Sequence, residues 1–419
     1  MRPNKYILLS LIALLAASLA CSLDELPAPI QQSAPAVLPS ETPQIIQASP
    51  TLPAPTATPT ALPSETPIPA PAAEAESVRA SQPLPELVEI AMFDASNGWG
   101  RSEEDIYRTG DGGQTWQAIE IPLAGPGTYF SASYLDPQTI YVIVTNPETP
   151  PSQLNISRDG GKSWQQTILG SDSPYFSAKI LPVSPETLFM FQNLGAAAGS
   201  QGVGLLQSLD GGQTWQQTFA HVPGEVGQAS LPFGGQKSLP AFLDANLGFI
   251  GGSRPMENDI YFYRTEDAGR NWQPQPLPVP AQTSGYMAMT ESPIVFPGNS
   301  EHILAPVRFS LPEGSQFIFF ASADRGQTWQ ATAPLTKADA YQFIDLQTGW
   351  VWADGMLYTT RDSGQTWLVL DHNIPGEISL RQINFIDPQN GWALAFDLDF
   401  HAILYFTSNG GQTWDKVSP

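Results

Sequence analysis

Three regimes of hydrophobic patterning follow one another along the chain. The first is an apolar run from Tyr6 through Leu15, preceded by Arg2 and Lys5 and followed by small residues up to Ala20. Basic residues, a short apolar stretch and small residues in that order make an export signal over 1–20, and the run is short for a spanning helix, which needs about 20 residues. From residue 21 to 83 the composition turns to Pro, Ala, Thr and Ser, with hardly an aromatic side chain and only scattered charge. Such a segment cannot bury enough apolar surface to offset its ordering entropy, and its prolines favour extended backbone, so it is expected to be a disordered stalk. From residue 84 to 419 strand-like runs alternate with turn-forming clusters: Asp105 to Thr109 and Thr115 to Ile121 flank a Gly-rich turn and predict a β-hairpin.

That hairpin belongs to an internal repeat. Seven segments fit Ser/Thr, any, Asp/Asn, any, Gly, any, Thr/Ser/Asn, Trp: they hold Asp111 and Trp116, Asp159 and Trp164, Asp210 and Trp215, Asp267 and Trp272, Asp324 and Trp329, Asp362 and Trp367, and Asn409 and Trp414. Successive tryptophans are 38 (Trp329 to Trp367) to 57 (Trp215 to Trp272) residues apart, close to the length of a four-stranded propeller blade. The residue types serve a turn. Short Asp and Ser/Thr side chains bond nearby amides, Gly supplies a positive φ, and Trp lays a large apolar surface against neighbouring strands. A carboxylate recurring in six of seven equivalent turns, with Asn409 in the seventh, is therefore read as a turn lock and not as a catalytic group.

A second repeat is interleaved with the first. Phe93-Asp94-Ala-Ser-Asn-Gly98-Trp99 recurs at Leu243 to Phe249, Ile344 to Trp350 and Ile386 to Trp392, with weaker copies at Leu135-Asp136-Pro137, Val183-Ser184-Pro185 and Val295-Phe296-Pro297. Each copy precedes a Trp-ending turn, which gives two hairpins per unit. Seven units of four strands predict an all-β, seven-bladed β-propeller over 84–419.

Two resemblances add expectations. Cys21, the chain's single cysteine, directly follows the export signal. It resembles the acylated cysteine of bacterial lipoproteins, although Ser18 stands where a Leu is usual, and implies a lipid anchor that holds the chain in the cell envelope facing outside the cytoplasm. The Trp-ending turn resembles the Asp-box, or BNR repeat. Together with the Asp-x-x-x-Gly-Trp pattern it is similar to the photosystem II stability and assembly factor family. This resemblance implies a propeller that binds protein partners without catalysis.

Charge and the inventory of reactive side chains narrow the functional classes. The net charge is -22, and with Arg2, Lys5 and Arg79 outside it the repeat region keeps 15 of 18 basic groups against 34 of 40 acidic ones. Such a chain is repelled by phosphate backbones, so nucleic acid is excluded as a partner. One cysteine excludes a disulfide framework. Sialidases need three converging arginines and a Tyr/Glu pair, but Arg101, Arg254, Arg308 and Arg381 are the only propeller arginines away from the Trp-ending turns. No Gly-x-Ser-x-Gly motif, cofactor motif or metal spacing is present. The expectation is a non-catalytic protein-binding or assembly scaffold with an extracytoplasmic protein partner. The alternative is a carbohydrate-binding or glycoside-hydrolysing propeller.

The candidate contact residues lie on variable strand connections, because recognition concentrates on loops of a rigid scaffold. They are Arg254, Glu257 and Asp259 in the segment from Gly251 to Asp259, and Asp397, Asp399 and His401 in the segment from Phe396 to His401. The segment from Phe191 to Gly204 is a third such connection. Asp397, Asp399 and His401 alternate as they would on one side of an extended segment, but solvated loop side chains account for them better than a metal.

Overall fold

A four-stranded antiparallel meander is the structural unit, and it recurs in seven sheets. The computed structural model describes residues 84–417, apart from 126, 147–151, 170–176, 198, 222–229 and 255–256. The export signal, Cys21 and the stalk lie outside the described residues. Among the described residues there are strands and turns and no helix.

Blade 1 runs from its inner strand β1 (Glu89–Met92) through β2 (Gly98–Arg101) and β3 (Ile106–Thr109) to its outer strand β4 (Gln117–Ile119). The remaining blades span Tyr129–Ile168, Ser177–His221, Gln236–Pro274, Met287–Ala331, Ala340–Leu370 and Ser379–Lys416. Blades 4 and 5 have a fifth strand because the inner strand is broken in two, after Lys237 and after Thr290. Pro240 and Pro293 lie in the two gaps, and a proline has no N–H to give to a sheet ladder.

Seven hydrophobic clusters fill the seven junctions between adjacent blades. The middle strands are therefore covered on both faces. This explains the unbroken apolar run Ile140–Val144 in the strand Ile140–Thr145, whose residues are all buried, beside the polar outer strand Gln165–Ile168 of the same blade. The ring closes without exchanging strands, since all four strands of blade 7 come from one stretch of chain. Side chains make the closure: Gln382 Oε1 accepts from Ile90 N (3.0 Å) while Gln382 Nε2 donates to Ile90 O (2.7 Å), and Asn384 Oδ1 accepts from Met92 N. Trp392 Nε1 adds a bond to Gly112 O at 2.9 Å.

A meander alternates its turns. The first-to-second and third-to-fourth strand turns come out on one face of the ring, here the turn face. The second-to-third hairpins and the blade-to-blade connections come out on the opposite, loop face.

Candidate functional site

The turn face carries both sequence repeats, joined as one unit. Thr109 Oγ1 accepts from Gly113 N (2.9 Å) and donates to Asp111 Oδ1 (2.8 Å). Asp111 in turn accepts from Thr115 N (2.9 Å) and Thr115 Oγ1 (2.6 Å). Asp159, Asp210, Asp267, Asp324 and Asp362 accept from the same two positions. Asn409 keeps the network by reversing one bond, its Nδ2 donating to Thr413 Oγ1 at 2.8 Å.

The indole N–H of Trp116, Trp215, Trp329 and Trp414 donates to the carbonyl of the turn's own conserved glycine, and that of Trp367 to Ala333 O. The indole N–H groups of Trp164 and Trp272 are buried and have no partner among the described residues. Hydroxyl and amide donors have an electrostatic consequence. Led by the side-chain bonds from Ser163, Thr214 and Thr328, they hold the carboxyls of Asp159, Asp210 and Asp324 down at about 2.

The residue before each conserved glycine adopts a positive φ: Gly112, Gly160, Gly211 and Gly410, but also Ala268 (61°), Arg325 (61°) and Ser363 (59°). Its N–H donates to a carbonyl of the preceding turn in all seven blades, from Gly112 N to Ser96 O through Gly410 N to Gln389 O. That preceding turn is locked in its own right, for instance by Asp94 Oδ1 accepting from Ser96 N (2.8 Å) and Asn97 N (2.7 Å). Blade-to-blade bonds complete the face. Trp99 Nε1 reaches Asp136 O, Trp350 Nε1 reaches Gly410 O, Arg158 donates to Gly211 O and Arg325 pairs with Asp244. These arginines point at neighbouring turns and do not converge.

The loop face is organised differently. The segment from Phe191 to Gly204, one of the variable strand connections, is mostly a hairpin of paired strands, Leu188–Ala197 with Ser200–Ser208. The ladder continues because a bulge between Asn193 and Ala196 absorbs the register shift. Arg254, Glu257 and Asp259 are brought together: Arg254 pairs with Glu257 at 2.8 Å and also with Asp259.

Asp397, Asp399 and His401 do not lie along an extended segment. Asp397 Oδ1 accepts from Asp399 N and His401 N (both 2.9 Å), and Phe400 N donates to Asp397 O, which bends 397–401 into a tight turn with Phe400 at φ 65°. A carboxylate that gathers the amides ahead of it favours a turn over a strand. His401 Nδ1 stands 3.4 Å from Asp397 Oδ2, and among the described residues no group of three or more His, Cys, Asp or Glu is placed to hold a metal ion.

The cations of the loop face are largely engaged. Arg101 pairs with Glu89, Arg308 with Glu291, and Lys337 with Asp339 and Asp354. Burial pulls Lys237 down to about 8, so at neutral pH it is still an ammonium, and it donates to the carbonyls of Gln201, Phe233, Gly234 and Gly235. Exposed carboxylates such as Glu103, Glu104, Glu313, Asp371, Glu377 and Asp399 leave the face acidic.

Sequence reasoning missed what stands among them. Leu123, Tyr129, Tyr286, Met287, Met356, Leu398 and Phe400 are exposed on this face, whereas Leu209 is the one exposed large apolar residue in the described Trp-ending turns. The available signal was two apolar residues alternating with aspartates at a hairpin tip, in Asp397-Leu-Asp-Phe400. A second missed cluster joins blades 5 and 6. Tyr341 Oη donates to Glu291 Oε2 (2.7 Å), while Arg308 donates to Glu291 Oε1 (2.8 Å). Burial and then the Glu291 charge raise the Tyr341 phenol well above its ordinary value.

No family model matches the sequence, and no curated protein matches it. Solved structures do match in fold. YCF48 from Cyanidioschyzon merolae is 18% identical with a TM-score of 0.52, over 78% of this chain and 98% of that one. YCF48 bound to a D1 peptide gives 18% and 0.50 over 79% and 96%. A PL25 ulvan lyase bound to an oligosaccharide gives 10% and 0.50 over 82% and 95%. The chain is similar to these proteins as a β-propeller.

Proposed function

We propose that this chain is a non-catalytic binding or assembly module. In this proposal the loop face holds a protein partner, and a lipid on Cys21 carries the propeller at the outer side of a bacterial membrane. The observation that carries the binding role is the division between faces. On the turn face every box carboxylate is occupied by hydroxyls and amides of its own turn, while the loop face exposes apolar side chains among acidic ones. Apolar groups with a polar surround are the composition of a protein contact surface. The fold likeness to YCF48, one structure of which holds a D1 peptide, agrees in kind with such a role.

The test is a photo-crosslinking residue introduced in cells at Met356 or Glu104 on the loop face, or at Leu209 or Lys162 on the turn face. Protein crosslinks from the loop positions alone are expected, and the reverse pattern would overturn the proposal.

The Glu291, Tyr341 and Arg308 cluster favours a second reading, since a Tyr/Glu pair beside an arginine is a glycosidase-like combination and an ulvan lyase shares the fold. Against it, a phenol with a raised pKa is a poorer nucleophile, and Tyr341 is packed on Phe317 and Phe319 with ring centroids 5.6 and 5.2 Å away. Turnover of sialosides or β-glucans that is lost in Glu291→Gln would establish that reading in place of ours.

A further inference from the structure

We infer that the tip of the blade 7 hairpin, Leu398 with Phe400, anchors a protein partner whose contact surface is apolar at its centre and edged by Lys or Arg. This rests on the loop face being the binding face, and it gives that face a focus and a partner chemistry. Leu398 is 78% exposed and Phe400 81%, the two most exposed of the large apolar side chains described. Neither contributes to a hydrophobic cluster of the fold.

Their backbone is nevertheless fixed, by Asp397 Oδ1 accepting two amides and by Asp397 N donating to His401 O at 3.1 Å. A tip already held in place loses less freedom when a partner covers it. Phe400 also sits at a positive φ, which glycine adopts without penalty and a β-carbon opposes. The neighbouring hairpin of blade 6 has Gly355 at φ 73° in its tip. A phenylalanine in water at such a position serves neither the turn nor the core. Aromatic side chains that fill a partner's pocket are what carry binding energy in protein interfaces.

Charge selects the partner. Asp397 and Asp399 flank the two apolar residues, and Glu86 joins them by accepting from Ala402 N at 3.3 Å. Anionic lipid headgroups would be repelled, and a symmetric second copy would set the same carboxylates against each other. Residues 22–83 of this chain carry six carboxylates and one basic group, Arg79, so they would also be repelled. A basic edge around an apolar recess is the complement.

The experiment pans a displayed random-peptide library on the immobilised full chain. Enriched peptides are then titrated against the wild type, the double variant Leu398→Ser with Phe400→Ser, and the double variant Met287→Ser with Met356→Ser. The expected peptides have an aromatic or Leu centre flanked by Lys or Arg. They should lose about tenfold or more in affinity for the tip variant alone, and bind more weakly as NaCl rises from about 50 to about 300 mM.

Enrichment of acidic or uncharged peptides, or unchanged binding to the tip variant, would overturn the inference. If only the Met287 and Met356 changes weaken binding, the loop face still binds protein and the anchor assignment alone fails. Two further measurements use Cys21→Ser protein, so that no acyl chain interferes. Cosedimentation with phosphatidylcholine–phosphatidylglycerol vesicles that depends on Leu398 and Phe400 would reassign the tip to membrane. A dimer in sedimentation velocity that the tip variant dissociates would reassign it to self-association. Either result overturns the partner proposed.

Discussion

The turn face and the loop face end the same strands, and they treat their side chains in opposite ways. At the turns a Thr, an Asp, a Gly and a Trp close on themselves and on the next blade, so that little is left to offer a partner. At the loops one lysine, Lys237, is buried, other cations are ion-paired, and large apolar side chains are left in water. A propeller needs its blades held in register, and in this molecule that task is done on one face. The other face is thereby free to vary, as its unequal hairpins do.

The largest effect that would test this contrast is on stability. Trp116 is 1% exposed, and Trp116→Ala is expected to cost about 3–5 kcal/mol, whereas Phe400→Ala should stay within about 0.5 kcal/mol. Thermal melts of the two variants decide it, and comparable losses would end the division of labour. A smaller loss, about 1–3 kcal/mol, is expected for Gln382→Ala, which removes both bonds to the Ile90 peptide where blade 7 meets blade 1. Hydrogen exchange should then rise first in β1 and in Ser379–Phe385. Uniform loss of protection around the ring would mean that this junction is no weaker than the others.

Acid acts directly on the turn locks. The Asp159, Asp210 and Asp324 carboxyls titrate at about 2 in the folded chain, below the ordinary aspartate value of 3.8. A depressed folded value means that their stabilisation is present above the unfolded pKa and is lost as pH falls through the folded one. Stability should thus decline between about pH 4 and about pH 2, and replacing Asp159, Asp210 and Asp324 together with Asn should flatten that decline. Urea melts at a series of pH values test this. Asn409 already occupies the same position in blade 7 with its bonds intact, so the triple variant should fold.

The unequal legibility of the two faces has a physical cause. The residues that define a Trp-ending turn are local: Thr109, Asp111, Gly113, Thr115 and Trp116 lie within eight residues, so their spacing alone shows the hairpin. The count of blades followed from the same repeats. By contrast, Gln382 bonds a peptide 292 positions away, and nothing near it in sequence marks the contact. The alternation of Asp397, Asp399 and His401 reads as extended chain because a period of two is the signature of a strand. One side-chain acceptor at the head of a hairpin was enough to override it. That Leu398 and Phe400 stay uncovered depends on what the other blades leave bare, which no local pattern reports.

The smallest expected effect bears most directly on why the faces differ. Ser363 on the turn face and Phe400 on the loop face both hold a positive φ, at 59° and 65°. A left-handed conformation costs an L-residue about 1–2 kcal/mol, and glycine removes that cost while giving back about 0.4–1 kcal/mol through its freer unfolded chain. Ser363→Gly and Phe400→Gly should each therefore stabilise the propeller by a few tenths of a kcal/mol, and melts of the pair should agree. On stability alone the two positions are equivalent, and any difference between them must come from binding. Ser363→Gly should leave affinity for a selected peptide unchanged, and Phe400→Gly should lower it about tenfold despite the firmer fold. Were Phe400→Gly to cost stability instead, the ring would be packing on its own domain. The tip would then belong with the turns as a fastening, and the contrast between the faces would lose its sharpest point.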